Sequence, residues 1–259
     1  MKKIIAMLLV LTMVLAFAGC AKTEEAPETA ATEAATEAAT EAATEAPTEA
    51  EAEELAVVTV MSHADYIAAE LDTEVVIETF VQGHQSWWDN KITVYCQSPD
   101  GAYFLYELAC AESDAEKLVP GTKIRVTGYK GEWAGEVEVM DGTFEFVEDG
   151  ETFIAEALDV TELLGTDELI AHQNEFVSFT GMTVEAIEYK NGEPGDDIYV
   201  TLGYNGASYS FCVEVYLTGT ESDVYTTVGT LNVGDTVNVE GFLYWYEGAN
   251  PHITAIAVA

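Results

Sequence analysis

Leu118-Val-Pro-Gly-Thr-Lys-Ile-Arg-Val-Thr-Gly128 returns as Leu231-Asn-Val-Gly-Asp-Thr-Val-Asn-Val-Glu-Gly241, 113 residues further along the chain. Both stretches read Leu-x-x-Gly-x-x-(Ile/Val)-x-Val-x-Gly. A glycine turn followed by strict apolar–polar alternation marks entry into a half-buried strand. The match runs on from Tyr129 with Phe242 to Gly135 with Gly248, and each following hairpin holds a tryptophan, Trp133 and Trp245. Upstream, Ile67-Ala68 before Glu74-Val75-Val76 echoes Ile170-Ala171 before Glu175-Phe176-Val177. The pattern is that of a duplicated unit of about 90 to 100 residues.

Each copy reads as β-rich. The first has strands at 74–81, 91–97, 102–110, 122–130 and 136–140, resuming at 143–147, with a short helix at 112–118. The second has strands near 175–187, 198–203, 207–217, 236–244 and 252–258. Turn chemistry sets the register. Ser98-Pro99-Asp100-Gly101-Ala102 suits a three-residue loop, which pairs Ser98 with Ala102 and turns Ile92, Val94, Cys96, Phe104, Tyr106 and Leu108 inward, leaving Tyr95, Tyr103, Leu105 and Glu107 outward. Asn205-Gly206 is a type I′ signal that aligns Ile198, Val200 and Leu202 with Tyr209, Phe211 and Val213, and turns Tyr199, Thr201, Ser210, Cys212 and Glu214 outward.

Five strands, a short helix after the third and this glycine-flanked fourth strand resemble the OB-fold. The fold class expected is all-β, two tandem five-stranded OB-like barrels, at 56–160 and 161–259. A pair of immunoglobulin-like sandwiches is the alternative. Over 57–259 the chain is similar to bacterial lipoproteins carrying tandem OB-like domains.

The N-terminal 20 residues place Lys2 and Lys3 before an apolar run from Ile4 to Ala18, the layout of a signal peptide too short to span a bilayer. Its ending, Phe17-Ala18-Gly19-Cys20, resembles the lipobox of bacterial lipoproteins, with Phe where the family usually has Leu. The resemblance implies a lipidated Cys20 at the mature N-terminus, a membrane partner and a location outside the cytoplasm. Residues 21–55 are Thr, Glu and Ala with a few Pro, including a near-perfect Thr-Glu-Ala-Ala repeat. Such a segment has no apolar face to bury and stacks Glu every four residues, so a disordered, solvated linker is expected.

The whole chain has 259 residues and a formal charge of −38. Residues 21–54 hold 11 acidic side chains against Lys22; with Lys2 and Lys3 also set aside, the folded part keeps −30. A polyanion gains no counterion-release energy on such a surface, so nucleic acid is not an expected partner. No nucleophile pairing, phosphate loop or His/Cys metal spacing occurs, so no catalysis, metal or cofactor is expected. The Asn191–Asp197 loop is acidic enough to hold calcium weakly but lacks the twelve-residue EF-hand order. Cys96 and Cys110 lie at opposite ends of a hairpin and read as free buried thiols.

OB-like barrels usually bind across strands two and three between the loops that follow strands one and four. Aromatic residues collect there: His84, Trp87 and Trp88 in the first loop, Tyr95 and Tyr103 on the face and Trp133 in the hairpin of the first copy. In the second copy they are Tyr199, Tyr244, Trp245 and Tyr246. These ten form the candidate surface for a glycan, peptide or protein, and the expected function is a membrane-anchored binding or adaptor lipoprotein. Two plainer readings stand beside it: a Trp that caps a barrel end, and a chain that serves instead as a structural or assembly component of a cell-envelope complex.

Overall fold

Both copies of the motif become the fourth strand of a closed sheet. The computed structural model describes residues 59–259; the signal segment, Cys20 and the Thr/Glu/Ala linker lie outside them. The first sheet comprises β1 (Glu74–His84), β2 (Lys91–Ser98), β3 (Gly101–Ala109), β4 (Lys123–Trp133) and β5 (Glu136–Phe146). The second comprises β6 (Leu158–Asp159), β7 (Phe176–Tyr189), β8 (Ile198–Tyr204), β9 (Ala207–Val213), β10 (Thr236–Phe242) and β11 (His252–Val258). Helix α1 (His63–Ala68) precedes β1 and α2 (Glu112–Ala115) joins β3 to β4, while α3 (Val215–Thr218) and α4 (Asp223–Val228) occupy the matching place between β9 and β10.

Strand order β1-β2-β3-β5-β4 closes through the β4–β1 pairing. The second sheet runs β10-β11-β9-β8-β7, and the β10–β7 pairing completes the same circuit, with β6 added in parallel beside β7. The protein is therefore all-β, with OB-like barrels and not facing sandwich sheets. In both circuits the third and fifth strands pair in parallel, β3 with β5 and β9 with β11.

The motif's glycines have separate tasks. Gly121 and Gly234 sit at φ +90° and +97°, a left-handed conformation that favours glycine in the turn before the strand. Gly128 and Gly241 lie where the neighbouring strand crosses closest. A Cβ on Gly128 would stand 2.7 Å from a Val139 methyl, and one on Gly241 would collide with the His252 carbonyl. Between these glycines, Ile124 and Val126 enter one core and Val237 and Val239 the other.

The Asn205-Gly206 turn gives the expected register: Tyr204 pairs with Ala207, Leu202 with Tyr209 and Val200 with Phe211. The first hairpin does not. Ser98 pairs with Gly101, so the loop is Pro99-Asp100 alone, and one residue of slip exchanges the faces of β3. Tyr103 and Leu105 are buried in the first core, while Phe104 and Tyr106 leave it. Helix α1 supplies the reason: its His63 and Tyr66 rings meet Tyr103 at 5.1 Å each, and the His63 amide donates to Asp100 in the turn. A bulge then recovers the pattern. Glu107 adopts φ +47°, three residues of β3 span two of β2, and Leu108 returns inward opposite Ile92.

Two further expectations change. The strand expected over 207–217 stops at Val213, because the Asp197 carboxylate accepts from the Val215 amide and starts α3. The strand expected in two pieces at 136–147 is continuous to Phe146, carrying Asp141 at φ +50°. Cys96, Cys110 and Cys212 are free and buried; Cys212 lies off the second core yet is only 4 % exposed. No helix among the described residues is long and apolar enough to cross a membrane.

Candidate ligand-binding cleft between the barrels

Tyr95, outward as expected, and Phe104, turned out by the slipped register, leave the first barrel, and the second barrel meets them. Tyr95 stacks on Phe242 at 4.4 Å and 14°, and Phe176, Leu217 and Tyr244 complete the apolar junction. Polar bonds surround it. Phe176 N donates to Gln97 Oε1 at 2.8 Å, Glu247 N to Ala134 O at 2.7 Å, and Ser86 N to Tyr216 O at 2.7 Å. The Tyr95 hydroxyl stands 2.6 Å from His252 Nδ1 and 3.4 Å from Glu214 Oε2, while Gln85 Nε2 donates to Glu214 Oε1 at 2.7 Å. Burial, reinforced by Glu214, pushes the Tyr95 phenol well up. The face on which OB-like barrels usually bind is thus largely spent on packing against the second barrel.

Where the two barrels part, a cavity of ≈ 470 Å³ remains. Its walls are Phe104 and Tyr106 of β3, Trp133 at the end of β4, and Tyr244 and His252 of the second barrel, with Gln85, Met140, Glu138 and Glu214 beside them. Tyr244 stacks on His252 at 4.3 Å and meets Phe104 edge-on at 5.2 Å, which fixes one wall. Trp133 is 62 % exposed and stands at the rim.

Two carboxylates matter here, Glu138 in the lining and Glu136 behind it. On β5, Val139 points into the first core and Val137 packs against it, so Glu136 and Glu138 point the other way, toward the second barrel. Glu136 accepts from Trp245 N at 2.8 Å and Gln173 Nε2 at 3.3 Å, and burial pushes its carboxyl up to about 8. Glu138 is 4 % exposed, and burial alone pushes it up to about 7, with no bonding partner among the described residues. An unpaired buried carboxylate beside aromatic rings needs either a proton or a donor from outside.

Of the ten expected residues, Trp133 and Tyr244 line this cavity. Tyr95 is wholly buried in the junction and Tyr103 is 1 % exposed inside the first barrel, so neither presents a face to a ligand. Trp245 packs against the second core. Trp87 packs on the first core and its Nε1 donates to Cys110 O at 2.9 Å, the cap of a barrel end. Trp88, 79 % exposed, joins Trp87, Lys91, Glu107 and Tyr216 around a separate hollow of ≈ 360 Å³. His84 opens onto a third hollow, beside Phe242 and Leu217. Tyr199 and Tyr246 are exposed, away from all of these. Tyr106 escapes sequence reasoning because the expected register turns it inward and the slip turns it out, and Glu138, Glu214 and His252 because each becomes a wall only where the two barrels meet. In the Asn191–Asp197 loop, Lys190 pairs with Asp197 at 2.9 Å and Asp196 at 3.7 Å. Among the described residues no group of three or more His, Cys, Asp or Glu side chains has a metal-holding arrangement.

No family model matches the chain, and no curated protein matches it. Among solved structures, a murine DNA-binding protein bound to double-stranded DNA is 12 % identical, with a TM-score of 0.36, over 71 % of this chain and 96 % of that one. The p204 HINb domain is 11 % identical, TM-score 0.34, over 74 % and 100 %. The asparaginyl-tRNA synthetase of Pyrococcus horikoshii is 18 % identical, TM-score 0.27, over 40 % of this chain and 22 % of its own length. At these scores the likenesses carry no argument about what the chain binds. What the strand circuits and the cleft define is an all-β protein of two OB-like barrels with an aromatic, acid-backed cavity at their junction.

Proposed function

We propose that this chain is a membrane-anchored, extracytoplasmic binding lipoprotein whose tandem barrels jointly hold a glycan or peptide ligand in the cleft between them. The cleft carries the reading: concave, aromatic-walled and dotted with a few convergent polar groups, it has the makeup of ligand pockets generally. The signal-like N-terminus, Cys20 and the acidic linker support the anchor, two acyl chains being what stable attachment needs. The repeated Leu-x-x-Gly motif supports duplication of one module, with the second copy recruited as the roof of the first.

A glycan and peptide array probed with the full chain tests it. Ligands retained by the wild type should be lost with Trp133→Ala and Tyr106→Ala, and kept with Trp88→Ala, which lies on the separate hollow. Retention unaffected by the first two changes would refute the cleft as the site. Metabolic labelling with a fatty acid that persists in Cys20→Ser would refute the anchor.

A further inference from the structure

Narrowing the ligand rests on the cleft being the binding site. We propose that it takes an organic cation, a guanidinium or ammonium group on an apolar stem, seated against Glu138 between Tyr106, Trp133, Phe104 and Tyr244. Aromatic faces attract such a cation through their quadrupole, and more strongly where water is excluded. Glu138 supplies the counter-charge: it is 4 % exposed, reaches the cavity and has no partner among the described residues.

The fold offers no internal cation for that role. Lys91 pairs with Glu107, Lys117 with Asp114, Lys123 with Glu78, Asp149 and Glu151, Arg125 with Glu78 and Glu145, and Lys190 with Asp196 and Asp197. Lys130 turns to the opposite side and donates to the carbonyls of Ile67 and Ala69. All six strong cations of the described residues are thus engaged away from the cleft, and no Lys or Arg lines it. A neutral ligand can donate hydrogen bonds to the carboxylate, but a cation also balances its charge and so favours the ionised form.

The groups facing Glu138 are Glu136 on its own strand, Tyr106 on β3, and Tyr244, Glu214 and His252 from the second barrel. With the Glu138 carboxyl pushed up to about 7, a bound cation displaces its proton to solvent, so cation affinity rises with pH across neutrality.

The test is calorimetric titration of the full chain in detergent micelles with two matched pairs. These are n-butylguanidinium against n-butylurea, and N-acetyl-arginine amide against N-acetyl-citrulline amide. Each cation should bind about tenfold or more tightly than its neutral isostere, weaken between pH 8 and pH 6, and lose its advantage in Glu138→Gln. A stronger arginine amide points to a peptide source and an equal n-butylguanidinium to a free base. Equal binding of the neutral isosteres overturns the proposal without recourse to any variant, as does a cation preference that survives Glu138→Gln. If a neutral glycan binds through Trp133 while no cation does, the cleft reading stands and this inference falls. If no binding responds to Trp133→Ala, both fall.

Discussion

Stability should drain from this protein as pH rises from 5 to 8, and Glu136 should be the main cause. Its side chain is wholly buried at the barrel junction, where Oε2 accepts from Trp245 N and Gln173 Nε2. Oε1 has no partner, and neither does the buried Oδ1 of Asn174, whose Nδ2 is committed to Val137 O at 3.2 Å. A carboxylate oxygen buried with no donor is better held as the neutral acid, which removes the buried charge. Burial as the largest cause, offset by bonds from Asn174 and Trp245, raises the carboxyl from 4.5 to about 8.

The fold therefore holds a proton that the unfolded chain has already released, and stability is full below pH 4.5 and lost as pH climbs through 8. At about 1.4 kcal/mol per pH unit, the loss between pH 5 and 8 is about 4 kcal/mol. Glu138, pushed up to about 7, adds a loss of the same sign and keeps it in any Glu136 variant. The informative quantity is hence the difference between wild type and Glu136→Gln in urea unfolding at pH 5, 6, 7, 8 and 9, read by tryptophan fluorescence. Gln matches the neutral acid in shape and charge and its oxygen still accepts from Trp245, so the two proteins should agree to within about 1 kcal/mol at pH 5. By pH 9 the variant should be the more stable by about 4 kcal/mol. Curves that stay parallel, or a variant less stable at every pH, would refute a protonated Glu136.

Four other changes follow from the packing. Gly241→Ala should destabilise by several kcal/mol, on the order of 3, since its Cβ meets the His252 carbonyl; a thermal midpoint within a degree of wild type would contradict that contact. Tyr95→Phe should cost about 1–3 kcal/mol in denaturant midpoint analysis by stripping the hydroxyl that His252 and Glu214 share, while keeping the stack on Phe242. Trp87→Phe should cost about 1 kcal/mol through the lost bond to Cys110 O, and Trp88→Ala within about 0.5 kcal/mol of nothing; the reverse order would exchange their roles as cap and exposed surface.

The closed circuits were readable because glycine positions and alternation are local matters. Gly121, Gly128, Gly234 and Gly241 mark the turn and the close crossing in each barrel, and Asn205-Gly206 sets its hairpin by turn chemistry alone. The first hairpin was misread because Pro99-Asp100-Gly101 accommodates two loop lengths. The choice was made by His63 and Tyr66, some forty residues away in sequence, which draw Tyr103 inward. Alternation then hid the slip, since Phe104, Tyr106, Tyr103 and Leu105 are all apolar enough for either face.

The cleft was hidden for a different reason. Glu136-Val137-Glu138-Val139 reads as a strand with its carboxylates in water, and for an isolated first barrel that reading is sound. Docking of the second barrel converts both carboxylates into buried groups, and their fates diverge by two residues. Glu136 meets Trp245 and Gln173 through Oε2 and is held in the junction, its Oε1 left to a proton. Glu138 faces the cavity with no hydrogen-bond partner among the described residues, so whatever occupies the cleft must supply one. A carboxylate that faces a cavity without an internal donor is open to a partner from outside. That asymmetry between two neighbouring glutamates on one strand is why the binding reading is placed at the cleft, and not on the exposed tryptophans that dominate the sequence.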